Sequence, residues 1–155
     1  MKKVFIILIL LLLCMNLPSQ AATWVQVSDY VYIDKDSIGY YIDDNGKEDT
    51  CKKTFWRKEI NHDNLYKDVE QILKKEISYQ LNQEIIDTTK KRWTAKSRML
   101  YDKNGSVVFR TIYKDFELEW NPVVPESNGE FYFELVREPE LLETLYKMKL
   151  QETSN

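Results

Sequence analysis

The chain offers very few side chains that could carry out covalent chemistry. Cys51 and His62 are the candidates for a thiol and imidazole pair, because the sequence contains two cysteines and one histidine. A nucleophilic site needs a base that a third group orients, and the spacing of these two residues does not establish such an arrangement. A lone cysteine in a strand is usually a small packed side chain and not a reactive group. We therefore predict that Cys51 is not catalytic.

The sequence also contains no residue set that is typical of a metal-binding or phosphate-binding site. Soft ligands are too few for a zinc or transition-metal site. The segment 34–39 resembles the opening of a calcium loop, but Ile38 stands at its fifth position and Asn45 stands where a bidentate glutamate is needed, so we interpret it as a turn. Neither a glycine-rich phosphate loop nor a G-x-S-x-G motif occurs. We predict a protein that is not an enzyme and needs no metal or cofactor.

A group of basic residues is the surface feature that the sequence predicts most clearly. The segments 92–101 and 106–113 alternate like strands and flank Asp102-Lys103-Asn104-Gly105, a strong hairpin turn. With Gly105 in the left-handed position of a type I turn, the core face carries Trp93 and Phe109, and Arg98 lies directly opposite Arg110 on the other face. The predicted basic stripe consists of Arg92, Lys96, Arg98, Arg110 and Lys114.

Like charges that face each other across strands are destabilising, so something acidic should lie near the basic stripe. One hypothesis is an anionic ligand, such as a sulfated glycan or an acidic protein segment. The other, favoured by the usual local balance of surface charge, is internal cover by a helix bearing Glu70 and Glu76 or by the acidic tail. The six tail glutamates themselves indicate a solvated face: Glu126, Glu130, Glu134, Glu138, Glu140 and Glu143.

The amino terminus predicts export. Lys2 and Lys3 precede the apolar run 4–13, which is too short to span a bilayer, and Ser19 and Ala21 occupy the positions that a signal peptidase reads. We expect a signal peptide at residues 1–21 and one domain at residues 22–155, located in the periplasm or at the cell surface. Lipidation at Cys14 is disfavoured, because the residue before it is not small.

The amino-acid composition limits the classes of partner that the protein is expected to bind. Removal of Lys2 and Lys3 makes the net charge of −3 two units more negative, which disfavours a nucleic-acid partner. Cys51 is the only cysteine outside the predicted signal peptide, so we expect no internal disulfide. Stability must then come from packing, and the ten tyrosines and four tryptophans can supply it. The membrane is expected as a partner only during export, and a homodimer stays open.

The elements that must position these residues follow from the periodicity. We predict strands at 24–27, 30–34 and 50–60, an amphipathic helix at 64–83 and a C-terminal helix that begins near Pro139. Ser127 and Glu130 form a capping-box pattern, although the segment 130–137 also alternates like a strand. The predicted fold class is α+β, with a single antiparallel sheet, a central amphipathic helix and a C-terminal helix packed against it.

Several short motifs carry a resemblance to a known family. They are Trp24 with Tyr32-Ile33-Asp34 and Ser37-Ile38, then Trp56, then Tyr101-Asp102-Lys103-Asn104-Gly105, and finally Trp120, Pro122, Pro125 and Ser127. With them, the mature chain resembles the surface-adhesin E family of exported bacterial proteins. The resemblance implies small antiparallel sheets with helices packed against them, and adhesion to host or matrix proteins.

The chain departs from that family at two cysteines. Relatives commonly carry one cysteine at the head of the hairpin strand, where this chain has Thr88, and another in the C-terminal helix, and no cysteine follows Cys51 here. Loss of such a staple costs about 2–5 kcal/mol, which packing must offset. Two functions remain for the exported chain: an adhesin-like binding protein, or a cell-envelope module that docks on another protein through an exposed strand edge.

Overall fold

Seven strands form one open antiparallel sheet in the computed structural model, which describes residues 22–153. The predicted signal peptide and Cys14 lie outside these residues. Strands β1 to β6 follow one another in the sheet in chain order, and β7 pairs with β5 beside β6. The predicted α+β class is confirmed. No helix in the described part of the chain is long and apolar enough to cross a membrane.

The elements have the following bounds. The strands are β1 (Trp24–Gln26), β2 (Val31–Ile42), β3 (Glu48–Ile60), β4 (Tyr79–Asp87), β5 (Arg92–Tyr101), β6 (Val107–Ile112) and β7 (Asn121–Pro122). The helices are α1 (Lys67–Leu73), α2 (Asn128–Arg137) and α3 (Pro139–Glu152), with a 3-10 turn at Asp115–Glu117.

The main core lies between one face of the sheet and the two C-terminal helices. Val25, Ile33, Phe55 and Ile86 from β1 to β4 are buried against residues of α2 and α3, among them Phe133. We call this side of the sheet the helix face. Leu142 of α3 is fully buried in the same cluster, so the last helix packs on the sheet although it carries no cysteine.

A second, smaller apolar cluster lies beside α1. Tyr66, Ile77 and Leu100 are buried together, with Leu73 and Val108 packed against them. Gln80 and Glu59 lie in the same row of the sheet as Leu100, and the next row on this face, toward the main core, holds Arg57, Asn82 and Arg98. The helix face therefore has two apolar regions with polar side chains between them.

The predicted hairpin turn is confirmed, but the predicted register is wrong. Gly105 has φ +76°, and Asp102 Oδ1 accepts hydrogen bonds from the backbone N–H groups of Asn104 and Ser106. One extra residue, Val108, then shifts the pairing, so that Met99 lies opposite Arg110. A second shift at Lys96, where β5 pairs with β4, moves the rest of the strand. The predicted core face of β5 is thus divided between both sides of the sheet.

The helix predicted at residues 64–83 is much shorter than expected. Helix α1 ends at Leu73, Lys74 adopts a left-handed conformation, and Ile77 is buried in the second cluster. The residues from Tyr79 onward form β4, which pairs along its whole length with β3 on one side and β5 on the other. This two-sided backbone pairing outweighs the helical spacing of Leu65, Val69 and Ile72, which are exposed.

The remaining predictions divide as follows. The strands expected near residues 24, 31 and 54 are present, whereas the turn predicted at 34–39 is an irregularity inside β2, where the Ser37 hydroxyl donates to the Asp34 carbonyl. Residues 130–137 are helical: Ser127 Oγ accepts a hydrogen bond from the Glu130 N–H and begins α2. Pro139 begins α3 as predicted.

Candidate functional site

Cys51 and His62 do not form a catalytic pair. Cys51 is exposed near the beginning of β3 and His62 follows its end, so an extended strand separates them by about 30 Å. The His62 ring instead stacks on Tyr30 at 4.0 Å, and its Nδ1 lies 3.2 Å from the Asp63 carboxylate. Within residues 22–153, no group of three or more His, Cys, Asp or Glu side chains is placed to hold a metal ion.

Two residues of the predicted basic stripe are paired with carboxylates. Arg92 Nε lies 3.1 Å from Asp87 Oδ2, and its guanidinium stacks over the Trp120 ring at 4.3 Å. Lys96 Nζ lies 2.8 Å from Asp44 Oδ1 and 2.5 Å from Asp115 Oδ1. These two cations therefore fix neighbouring segments to β5.

The other three stripe residues are exposed and, among the residues from 22 to 153, form no ion pair: Arg98, Arg110 and Lys114. Arg98 lies opposite Thr111, and Arg110 lies opposite Met99. Because adjacent residues of a strand point to opposite faces, Arg98 and Arg110 lie on different faces of the sheet. The prediction that they face each other is wrong, and the five cations do not form one stripe. Whether any of them binds a ligand stays a prediction.

The carboxylates that neutralise cations of the predicted stripe are not the ones that were predicted. Glu70 Oε1 accepts hydrogen bonds from the Ile77 N–H and Asn61 Nδ2, and Glu76 lies 4.0 Å from Lys103. Neither carboxylate is paired with a stripe residue. The acidic groups near Arg98 are instead Glu117 and Glu119, which line a cleft with it, and Glu84, whose pKa the charge of Arg98 tends to lower.

Lys96 belongs to a small network that joins the β2–β3 hairpin to the segment after β6. The Tyr41 hydroxyl donates to the Asp115 carboxylate, which also accepts from the Asp44 N–H, and the Asp115 N–H donates to Asp44 Oδ2. Burial tends to raise the pKa of Asp115, but hydrogen bonds from Lys96 and Tyr41 outweigh it and hold the pKa at about 2. This network is structural in character.

A buried ion pair lies in the middle of the helix face. Arg57 Nε donates to Glu84 Oε1 at 2.7 Å, and Arg57 Nη1 donates to Glu59 Oε2 at 3.1 Å. Glu59 Oε2 also accepts from Gln80 Nε2 at 2.6 Å. Burial raises the pKa of Glu84, and the charge of Arg57 opposes that rise. The sequence analysis did not single out these residues, because the segment that forms β4 was predicted to begin as a helix.

Two clefts open on the sheet around Trp93. The first, which we call the ion-pair cleft, has a cavity volume of about 220 Å³ and is lined by Phe55, Arg57, Glu84, Ile86, Trp93, Gly129, Tyr132 and Phe133. The second, which we call the arginine cleft, has a volume of about 270 Å³ and is lined by Trp93, Thr94, Ala95, Arg98, Tyr113, Glu117, Glu119 and Asn121. Trp93 lines both, so the two clefts meet at its side chain.

Comparisons with known proteins find similarity at the level of the fold. No protein-family model matches the sequence, and no curated protein matches it. Among solved structures, protein E from non-typeable Haemophilus influenzae is similar at a TM-score of 0.53 and 15% identity, over 87% of this chain and 93% of that one. A second crystal form of Haemophilus influenzae protein E is similar at a TM-score of 0.50 and 16% identity, over 76% of this chain and 87% of that one. At these identities the likeness establishes a shared fold.

Proposed function

We propose that the chain is an exported, non-enzymatic binding protein of the adhesin type, which attaches to a host or extracellular-matrix protein through the arginine cleft. The motifs shared with the surface-adhesin E family support this proposal, and the fold shared with protein E is compatible with it. Export through a signal peptide at residues 1–21 is part of the proposal. Protease treatment of intact cells separates a surface location, at which the protein is removed, from a periplasmic one.

The observation that carries the proposal is the composition of the arginine cleft. Trp93, Tyr113 and Arg98 line one open cleft, and Trp, Tyr and Arg are the residue types that contribute most binding energy at protein interfaces. Trp93 is packed against the main core, so its ring is held in place before a partner arrives.

The charge of the cleft narrows the type of partner. Arg98 is accompanied by Glu117 and Glu119, so carboxylates outnumber the cation. A polyanion such as a sulfated glycan would meet repulsion from both glutamates. A protein segment that presents apolar side chains with charges of both signs fits better, and we therefore favour a protein ligand over the anionic ligand considered from the sequence.

Two arginines provide a matched test. Arg98→Gln and Arg110→Gln each remove one exposed positive charge from neighbouring strands, but the two side chains lie on opposite faces. We expect Arg98→Gln to weaken binding to a panel of immobilised extracellular-matrix proteins by about tenfold, the effect of losing an interface hot spot. Arg110→Gln should bind within about twofold of the parent chain, and both variants should keep the parent melting temperature.

The results also separate the competing explanations. A lower melting temperature for Arg98→Gln would indicate that Arg98 serves to balance Glu117 and Glu119 within the fold. Equal loss of binding in both variants would indicate attraction by net charge alone. Absence of binding to every matrix protein by the parent chain would reject the adhesin proposal.

The alternative function, a cell-envelope module, has its own supporting observation. Strand β6 pairs only with β5 among the described strands, and its Val107, Phe109 and Ile112 are 51%, 41% and 53% exposed. An edge strand with exposed apolar side chains is a suitable place for another chain to add a strand. In this case Phe109→Lys would abolish retention of the envelope partner, whereas Arg98→Gln would leave it unchanged.

A further inference from the structure

We infer that the ion-pair cleft is a small-molecule site for a planar, uncharged aromatic group that carries an amide-like edge, with one hydrogen-bond donor beside one acceptor. This inference does not depend on the adhesin proposal, because it concerns the other cleft and a different kind of ligand. Three features carry it: the walls of the cleft, the atoms at its floor and the charge balance there.

The walls suit an aromatic ring. Apolar side chains from four elements line the space: Phe55 from β3, Ile86 from β4, Trp93 from β5, and Tyr132 and Phe133 from α2. The volume of about 220 Å³ has room for a group of one or two rings. Ligand pockets in proteins are mostly apolar with a few fixed polar groups, and this cleft has that composition.

The floor offers both a donor and an acceptor. Arg57 uses Nε and Nη1 for hydrogen bonds to Glu84 and Glu59, and Glu84 uses Oε1, in the contacts between described residues. Arg57 Nη2 and Glu84 Oε2 have no such contact, and both side chains line the cleft. Because the two side chains are held by each other, the remaining donor and acceptor belong to one fixed pair of groups. A carboxamide presents the complementary pair.

The charge at the floor excludes ionic ligands. Arg57 lies between the carboxylates of Glu84 and Glu59, and the charge of Arg98 also acts on Glu84, so two positive charges balance two negative ones. A cation would have to compete with Arg57 for Glu84, whose side chain is only 7% exposed. Removing either ion from water at this depth would cost free energy that no free counter-charge offsets. A neutral ligand avoids that cost and still makes the hydrogen bonds.

Three probes of the same size test the inference directly. Benzamide, benzoate and benzylamine share a ring and differ in the charge of the attached group. In ¹⁵N-labelled protein, we expect benzamide to shift the indole N–H resonance of Trp93 in a saturable manner. Benzoate and benzylamine should bind at least about tenfold more weakly, the factor expected when a charge must be buried without a partner.

A glycine in the wall allows the cleft to be closed without removing any of its polar groups. Gly129 lies in the first turn of α2, and a Cβ added there would have Ser127 Oγ as its near neighbour at 3.3 Å. Gly129→Leu should fill the cleft and abolish the benzamide shift. Gly129→Ala is the matched control, which has the same backbone change but adds only a methyl group, and it should retain benzamide binding within about threefold, given that one methyl group has a small effect.

The possible outcomes decide the inference. Equal affinity for the three probes, or tighter binding of benzoate, would overturn the assignment of an uncharged ligand. Benzamide shifts that persist in Gly129→Leu would place the binding elsewhere. Loss of matrix binding in Arg98→Gln with benzamide binding intact would show that the two clefts act separately, so failure of one proposal does not entail failure of the other.

Discussion

Burial of the ion pair of Arg57 and Glu84 costs the folded protein desolvation free energy. Arg57 and Glu84 have side chains that are 14% and 7% exposed, so both charges have lost most of their water. The attraction between two such charges often does no more than offset this loss, and an apolar pair of similar volume is frequently as stable. A pair that contributes little to stability but lines an open cleft is what a recognition site requires.

We therefore predict different results for single and double replacement of this pair. Glu84→Leu leaves Arg57 with only the partly exposed Glu59 and should lower the free energy of unfolding by about 3 kcal/mol or more. Arg57→Met combined with Glu84→Leu should restore most of that loss. Urea unfolding measures both values. If the double variant is as unstable as the single one, the ion pair is a stabilising element and its presence needs no ligand.

Residue-level prediction from the sequence succeeded where a side chain acts locally. Ser127 caps α2 and Gly105 completes its turn because both depend on a few neighbouring residues. The positions of Arg98 and Arg110 were predicted wrongly, since the faces of β5 and β6 depend on irregularities at Lys96 and Val108. Such bulges accommodate the twist of the whole sheet, and the hairpin sequence alone does not contain that information.

Strand β4 illustrates how an element can be hidden by an apolar pattern. Ile77 and Leu81 continue the helical spacing of Leu65 and Val69, yet they lie beyond the end of α1. A central strand gains backbone hydrogen bonds on both edges, and those bonds come from β3 and β5, which are distant in sequence. The helix prediction could not include them. Because Glu84 lies on β4, the ion-pair cleft was missed for the same reason.

The network around Asp115 shows how β5 holds two distant segments, and it predicts a dependence on pH. The folded pKa of Asp115 is about 2, below its usual value of 3.8, so its contribution to stability is present above about pH 4 and is lost as the pH falls toward 2. Asp115→Asn should lower the free energy of unfolding at pH 7 by about 1–2 kcal/mol, a value reduced for the partial exposure of the side chain.

The same network prediction has a simple control. Asp29→Asn changes an exposed aspartate in the loop between β1 and β2, and it should have an effect below about 0.5 kcal/mol at every pH. Urea unfolding at pH 7 and at pH 3 measures the difference. A gap between Asp115→Asn and the parent that stays constant as the pH falls would show that Asp115 contributes through its shape rather than its charge.

The fold class and the order of most elements were predictable because they follow from local periodicity, whereas the clefts were not. The ion-pair cleft is built from β3, β4, β5 and α2, and the arginine cleft from β5 and the segment 113–121. The ion-pair cleft takes one or two side chains from each of its four elements, and the arginine cleft takes four from β5 and four from the later segment, so no single stretch of sequence carries the pattern of either cleft. Trp93 was expected to lie in the core, and it packs against the core while partly buried, but its second role in lining both clefts depends on tertiary structure.

This sharing of strands between the parts of the molecule predicts how residues 22–155 unfold. Strands β3, β4 and β5 each contact both neighbours. Phe55 of β3 and Ile86 of β4 belong to the main core, whereas β5 carries both Trp93, which packs against that core, and Leu100 of the second cluster. Separate unfolding of either apolar cluster would break strand pairs that the other cluster needs.

We expect a chain that begins at Ala22 to unfold in one cooperative transition, with a urea dependence of about 1–3 kcal/mol/M. Tryptophan fluorescence and far-ultraviolet circular dichroism should give coincident curves, because the four tryptophans are distributed across the sheet and the segment before β7. Two separated transitions would contradict the assignment of one domain to residues 22–155, and would identify the β5–β6 hairpin with α1 as a unit of its own.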